Sequence, residues 1–188
     1  MPAFPELSRP LSGPAAALRQ AAERDIPETL IAHQDDPDMH VRIGLERPPS
    51  GAELGRRIDG GAVERASGAG VWLTIVAAGE DECCGGLDVH EVDWDHLRAE
   101  IGIWVGPQRR GRGMATDALR LGARWLLDTC GLKRVQLLTE PDNAPMRRAA
   151  RKAGFGEEGV LRAYLRERND RVDVVVISLI AEDLEPTA

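Results

Sequence analysis

One segment restricts this chain more than any other: Val105-Gly106-Pro107-Gln108-Arg109-Arg110-Gly111-Arg112-Gly113-Met114-Ala115. A β-type run, Ala99 to Val105, feeds a Gly- and Arg-rich loop that opens directly into an amphipathic helix. A strand, a tight loop and a helix start in that order aim unpaired backbone N–H groups at one spot. The positive end of the helix dipole points there too. Such a spot holds an anion, and phosphate above all.

The chain has 188 residues and 43% hydrophobic content, which suits one globular domain, expected over residues 15–183. The flanks 1–14 and 184–188 are expected as tails. The stretch Met1 to Pro14 is Pro-rich and lacks the basic start and apolar core of a secretory signal. No apolar run approaches the roughly 18 residues that a membrane span needs, so no membrane partner is expected. A net charge of −7 argues against a general nucleic-acid binder, whose affinity comes from neutralising phosphates. Cys83, Cys84 and Cys130 show no metal-ligand spacing, so no metal is expected. An odd number of cysteines without an export signal fits reduced thiols in a cytoplasm. The pair Cys83-Cys84 reads as small side chains packed in a strand.

Local signals outline alternating elements. Leu18-Arg19-Gln20 reads as a short strand, and Asp25-Ile26-Pro27 opens a helix to about Gln34, with Asp25 as its cap. Asp35-Asp36-Pro37-Asp38 breaks that helix. Ser50 and Glu53 form a capping box for a second helix that runs to about Ser67. Val71 to Val76, Gly85 to His90 and Arg98 to Val105 read as a strand meander, with a hairpin turn at Gly79 to Glu82. After the glycine loop, Ala115, Ala118, Leu119, Gly122, Trp125, Leu126 and Thr129 share one helical face, and Gly131 is placed to end the helix. Arg134 to Thr139 is a buried strand, and Asn143 caps a helix that Gly154 stops. Val160 to Arg166 and Val172 to Ile180 form an antiparallel pair around Asn169-Asp170. The order predicts an α/β (α+β) fold: a mixed, mostly antiparallel sheet flanked by helices.

Two common phosphate loops fail against the segment. Gly106 and Gly111 have P-loop spacing, but Arg112-Gly113 replaces the lysine and the hydroxyl residue, which argues against nucleotide hydrolysis. A dinucleotide loop needs a third glycine where Thr116 stands, and Val135 to Thr139 supplies no acidic strand end.

The fuller pattern Gln108-x-x-Gly111-x-Gly113 resembles the GNAT superfamily of acyl-CoA-dependent N-acetyltransferases. The likeness covers roughly Ala17 to Ala181 and includes Leu18-Arg19 with Asp25, Ala99-Glu100-Ile101-Gly102, Asp142-Asn143-Ala144-Pro145-Met146, Ala153-Gly154-Phe155 and Glu158-Gly159-Val160-Leu161-Arg162. It is greatest for the branch holding the ribosomal-protein N-terminal acetyltransferases of RimJ/RimL type. The resemblance implies acetyl-CoA as co-substrate and a sheet with a splayed strand pair. It implies that Gln108, Arg109, Arg110, Gly111, Arg112, Gly113, Met114, Ala115 and Thr116 wrap the pyrophosphate. Ile103, Trp104 and Val105 would lie beside the pantetheine arm, and Asn143 would touch its thiol end, cap its own helix, or do both.

The resemblance further implies direct transfer of acetyl to a primary amine, on a peptide N-terminus, a small metabolite or an antibiotic, and allows a homodimer. A base must take a proton from that amine. Glu100 is the leading candidate, and an exposed strand carboxylate is its plainer reading. His90, Glu91, Asp93, Asp95 and His96 read first as a solvated hairpin. The family's usual proton donors, a Ser three residues or a Tyr seven residues after the Asn, are here Met146 and Ala150. Tyr164 is a fallback donor that also suits strand packing. Arg42, Glu46, Trp72 and Trp94 are candidates for the acceptor pocket, within or beside the segment Asp35 to Ser67. A non-catalytic acyl-CoA-binding module is the rival reading.

Overall fold

The computed structural model describes residues 2–167 and 170–184. Its eight strands form one sheet: β1 Leu11–Ser12, β2 Ala16–Gln20, β3 Val71–Ala77, β4 Cys83–Asp93, β5 Arg98–Val105, β6 Arg134–Thr139, β7 Gly156–Glu167 and β8 Asp170–Ile180. They lie in the order β1-β2-β3-β4-β5-β6-β8-β7. Every neighbouring pair is antiparallel except β5 and β6, which run parallel because a helix connects them.

Helices cover both faces. On one face lies α4 (Met114–Arg124), carried on by a wider turn over Trp125–Thr129, and beside it α5 (Ala144–Lys152). Leu18, Leu87, Ile101, Val135, Leu137, Ile177 and Leu179 alternate toward these helices and build the core with Ala118, Leu119 and Leu126. Asp117 shares the buried side of α4: its carboxylate accepts the Ala15 N–H and, at 3.0 Å, a bond from Arg120. On the opposite face lie α1 (Ile26–Asp35), the short α2 (Met39–Arg42) and α3 (Gly51–Ser67). The α3 start is built as its sequence requires, with the Glu53 N–H on Ser50 Oγ and the Ser50 N–H on Glu53.

Three expectations need correction. The stretch 1–14 is not a loose tail over its described residues. Phe4 is 1% exposed, with its ring 5.1 Å from Trp94 and 5.8 Å from Trp125, and β1 adds to the sheet edge. Burial of the Phe4 ring between two tryptophans offsets part of the cost of ordering this segment, and its prolines make that cost smaller. Asp25 does not cap α1 with its side chain. Its buried carboxylate instead accepts two bonds from Arg19 (2.8 and 2.6 Å), one from Thr74 Oγ1 (2.6 Å) and the Ala22 N–H. A buried arginine needs a matched carboxylate more than a helix end needs a cap. Tyr164, finally, is 51% exposed on the edge strand β7, not packed. The turn expected around Asn169 and most of the tail 184–188 lie outside the described residues.

Candidate active site

The site follows from how β5 leaves β6. The two strands pair only through Arg98, Ala99 and Glu100 against Arg134, Val135 and Gln136. Beyond that point β5 continues along β4, with Gly102, Ile103, Trp104 and Val105 opposite Asp88, Leu87, Gly86 and Gly85, while β6 continues along β8. A wedge-shaped cleft opens between them. Gly106 N–H donates to Cys84 O at 2.9 Å, so strand alternation turns Ile103 and Val105 the other way, toward the cleft. Trp104 directs its backbone to β4 instead. Its indole lies over Gly86, where an added Cβ would come within 2.5 Å of the indole nitrogen.

The glycine loop closes the wide end of the cleft. Pro107–Arg109 forms one 3-10 turn, Gly111 and Gly113 take φ of +76° and +82°, and α4 begins at Met114. Only glycine adopts that backbone readily, which is why the loop needs both. Among the described residues, the N–H groups from Gly111 to Thr116 meet no acceptor. A Cβ added at Gly111 would meet nothing within 4 Å. Free donors at a helix start with open space over them fit the pyrophosphate of coenzyme A.

The loop arginines differ in what they hold. Arg109 pairs with Glu82 at 2.7 Å. Arg110 donates to Val105 O at 2.9 Å and pairs with Asp36 at 2.7 Å, tying the loop to the end of α1. Arg42 shares that same Asp36. Arg112 is exposed and makes no ion pair among the described residues, and Gln108 is exposed on the turn. Across the cleft, Asn143 accepts the Met146 N–H at 3.3 Å and donates to Glu140 at 3.4 Å. Its role as helix cap is therefore observed. Met146 is half-buried and Ala150 wholly buried, so no hydroxyl stands at either place.

At the narrow end stands Glu100, half-buried rather than exposed. Gln136 Nε2 donates to its Oε2 at 3.2 Å, and His90 Nε2 lies 3.4 Å from its Oε1. In the sequence His90 reads with the hairpin acids, but β4 runs on to Asp93 and sets His90 directly opposite Glu100. The alternation Asp88, His90 on one face was the available signal. The remaining hairpin residues sit at the far end of β5 from the loop, where Asp93 holds His96 and Arg98. Trp94 packs on Phe4 and donates to Gly68 O at 2.8 Å, which removes it from any acceptor pocket. Trp72 does face the α3 side, with the Arg57 guanidinium 4.6 Å from its ring centre.

The cysteines take no part: Cys83 and Cys84 are buried, and burial pushes Cys83 up to about 11 and Cys130 up to about 12. No described helix is long and apolar enough to cross a membrane.

Comparison with known proteins agrees with this geometry. A family described as an acetyltransferase (GNAT) domain matches residues 16–156. The p20 protein of Bacillus licheniformis, an uncharacterized N-acetyltransferase, is 28% identical over 59% of this chain, a match that spans 62% of its own length. The uncharacterized N-acetyltransferase YoaA of Bacillus subtilis is 27% identical over 87% of this chain and 92% of its own. Mycobacterium smegmatis RimJ, solved in complex with a CoA-disulfide, superposes with a TM-score of 0.79 at 25% identity, over 95% of this chain and 92% of its own. With the splayed strands and the loop in place and the family matched over most of the sequence, the chain belongs to the GNAT acetyltransferase family.

Proposed function

We propose that this protein is an acetyl-CoA-dependent N-acetyltransferase that moves the acetyl group directly onto a primary amine. The parting of β5 from β6, directly before the free N–H groups of Gly111 to Thr116, carries the reading. In it those N–H groups hold the pyrophosphate, with Arg112 as the loop cation left uncommitted. Ile103 offers backbone groups to the pantetheine arm and Val105 its N–H, Val105 O being taken by Arg110, and the Ile103 N–H meets the charge that develops on the acetyl oxygen. Asn143 borders the thiol end. Bound acetyl-CoA supplies an activated thioester.

Glu100 takes a proton from the amine, and Gln136 and His90 fix its orientation. Met146 and Ala150 carry no donor, so the departing thiolate takes its proton from solvent. The acceptor approaches from the face of α1 to α3, where Trp72, Asp88 and Trp104 lie. Asp88 and Asp36 are already paired with arginines, whereas Glu100 forms no ion pair with an arginine among the described residues. A single amine suits that charge pattern, as on a peptide N-terminus or a small molecule.

The test is release of free thiol from acetyl-CoA, followed with a chromogenic disulfide, using an alanyl decapeptide and spermidine as acceptor probes. The reading expects amine-dependent release and an acetylated product by mass. Tight binding of coenzyme A with no turnover of a broad amine panel would favour the non-catalytic module, which the missing hydroxyl donors otherwise suggest.

A further inference from the structure

A row of polar side chains crosses the sheet at the vertex of the cleft. His90 of β4 faces Glu100 of β5, which faces Gln136 of β6. Glu100 receives one partner on each oxygen, His90 Nε2 at 3.4 Å and Gln136 Nε2 at 3.2 Å. Asp88 Oδ2 stands 3.9 Å from the other ring nitrogen, Nδ1, which is buried and has no hydrogen-bond partner among the described residues. The ring lies over Gly102, where an added Cβ would sit 3.5 Å from Cε1, so the imidazole borders the first β5 residues that leave β6. The charges around it are Asp88 and Glu91 on its own strand and Glu100 on β5. From α3, Arg57 reaches Asp88 at 2.6 Å.

A proton acceptor works best when its affinity for the proton approaches that of the group it relieves. A lone glutamate, near 4.3, falls almost four units below an α-amine near 8, and an imidazole near 6.5 closes more than half of that gap. The Glu100 carboxylate at Nε2 raises His90 further. Burial opposes that shift, and Asp88 and Glu91 add to it. An orphaned buried nitrogen is otherwise a net cost to the fold.

We propose that His90 and Glu100 act as one proton-accepting unit, with Asp88 and Gln136 as the positioning residues that hold the two ends. The proposal rests on the acetyltransferase reading of the cleft. In the step, one N–H bond of the substrate ammonium breaks as a Glu100 oxygen gains its proton. The proton then passes from Glu100 Oε1 to His90 Nε2, the ring carrying its other proton on Nδ1 toward Asp88. Glu100 is again a carboxylate, His90 is an imidazolium, and the amine holds a free electron pair for the acetyl carbon. The imidazolium, whose side chain is partly exposed, returns the proton to water.

Two measurements test this. With coenzyme A bound and no acceptor, the ring of His90 is titrated by NMR in 15N-histidine-labelled protein and in Glu100→Gln. The expected result is titration above the ordinary histidine value, falling toward it in E100Q. A ring that titrates normally and ignores E100Q overturns the proposal. Then kcat is measured against pH with acetyl-CoA and the alanyl decapeptide. His90→Gln should lose at least tenfold in kcat at pH 7, with KM within twofold and the acidic limb set by the imidazole gone; His90→Asn is the second variant should Gln not fold. If E100Q loses activity while both His90 variants keep the wild-type profile, Glu100 works alone and the unit is refuted, though the acetyltransferase reading stands. If neither change moves kcat, the unit and the assignment of Glu100 fall together, and failure to bind coenzyme A would instead strike the reading of the cleft.

Discussion

Replacing Gly113 or Gly111 by alanine isolates what the loop's shape is worth. Both glycines sit in the left-handed region, at φ +82° and +76°. An added Cβ meets only Ala15 Cβ at 3.6 Å in the first case and nothing within 4 Å in the second, so the substitutions bring no clash. What remains is the backbone cost of an L-residue held left-handed, about 1–2 kcal/mol. Free protein can relax an exposed loop and avoid most of that cost. Bound protein cannot, because relaxation turns the N–H groups of Gly111 to Thr116 away from the pyrophosphate. The cost therefore lands on binding and weakens coenzyme A affinity by about 5- to 30-fold per substitution. Isothermal titration of each variant with coenzyme A, beside urea unfolding, separates the two possibilities. Gly131→Ala is the control, since Gly131 has φ +78° and open space beyond the opposite end of α4. Wild-type affinity in G111A and G113A would refute the argument, and so would an equal loss in G131A.

Other consequences are open to direct measurement. Asp25→Ala strips a buried arginine of its main partner and should cost about 3–5 kcal/mol in urea unfolding. Burial alone would raise the Asp25 carboxyl, but the bonds from Arg19, Thr74 and the Ala22 N–H outweigh it and hold it below its ordinary value. The stabilisation is thus present above the unfolded value near 3.9 and disappears as pH falls through the lower folded one. The gap between wild type and D25A should be flat from pH 5 to 8 and close below pH 4; a gap that widens in acid would contradict the pairing. With burial holding all three thiols protonated, iodoacetamide at pH 8 should leave the folded protein unmodified by mass and label it fully in urea. Ala150→Tyr, which installs the family's hydroxyl, should destabilise by about 1–3 kcal/mol without raising kcat, because Ala150 is fully enclosed in the core.

What could be read from the chain depended on how far apart the cooperating residues lie. The Ser50–Glu53 box and the Asn143 cap are complete within four residues, and both helix starts formed where their sequences place them. The glycine loop was legible for the same reason. Asp25 was misread because its strongest partner, Arg19, is a buried strand residue, and Thr74 comes from a strand far along the chain. Phe4 looked idle in a Pro-rich stretch, since Trp94 and Trp125, which enclose it, follow by some ninety residues or more. The Arg110–Asp36 tie, a brace between loop and helix, spans 74 positions and so left no local signal. His90 was misplaced by ending its strand early, which hid that Asp88, His90, Glu100 and Gln136 share one face.

The central claim is that coenzyme A lies in the cleft between β5 and β6 with its pyrophosphate on the start of α4. Titrating acetyl-CoA into 15N-labelled protein and following the backbone amides tests it most directly. The account predicts the largest shifts at Gly111 to Thr116, with a second group at Ile103, Val105 and Asn143. Saturable binding that leaves those amides in place and moves others would contradict it.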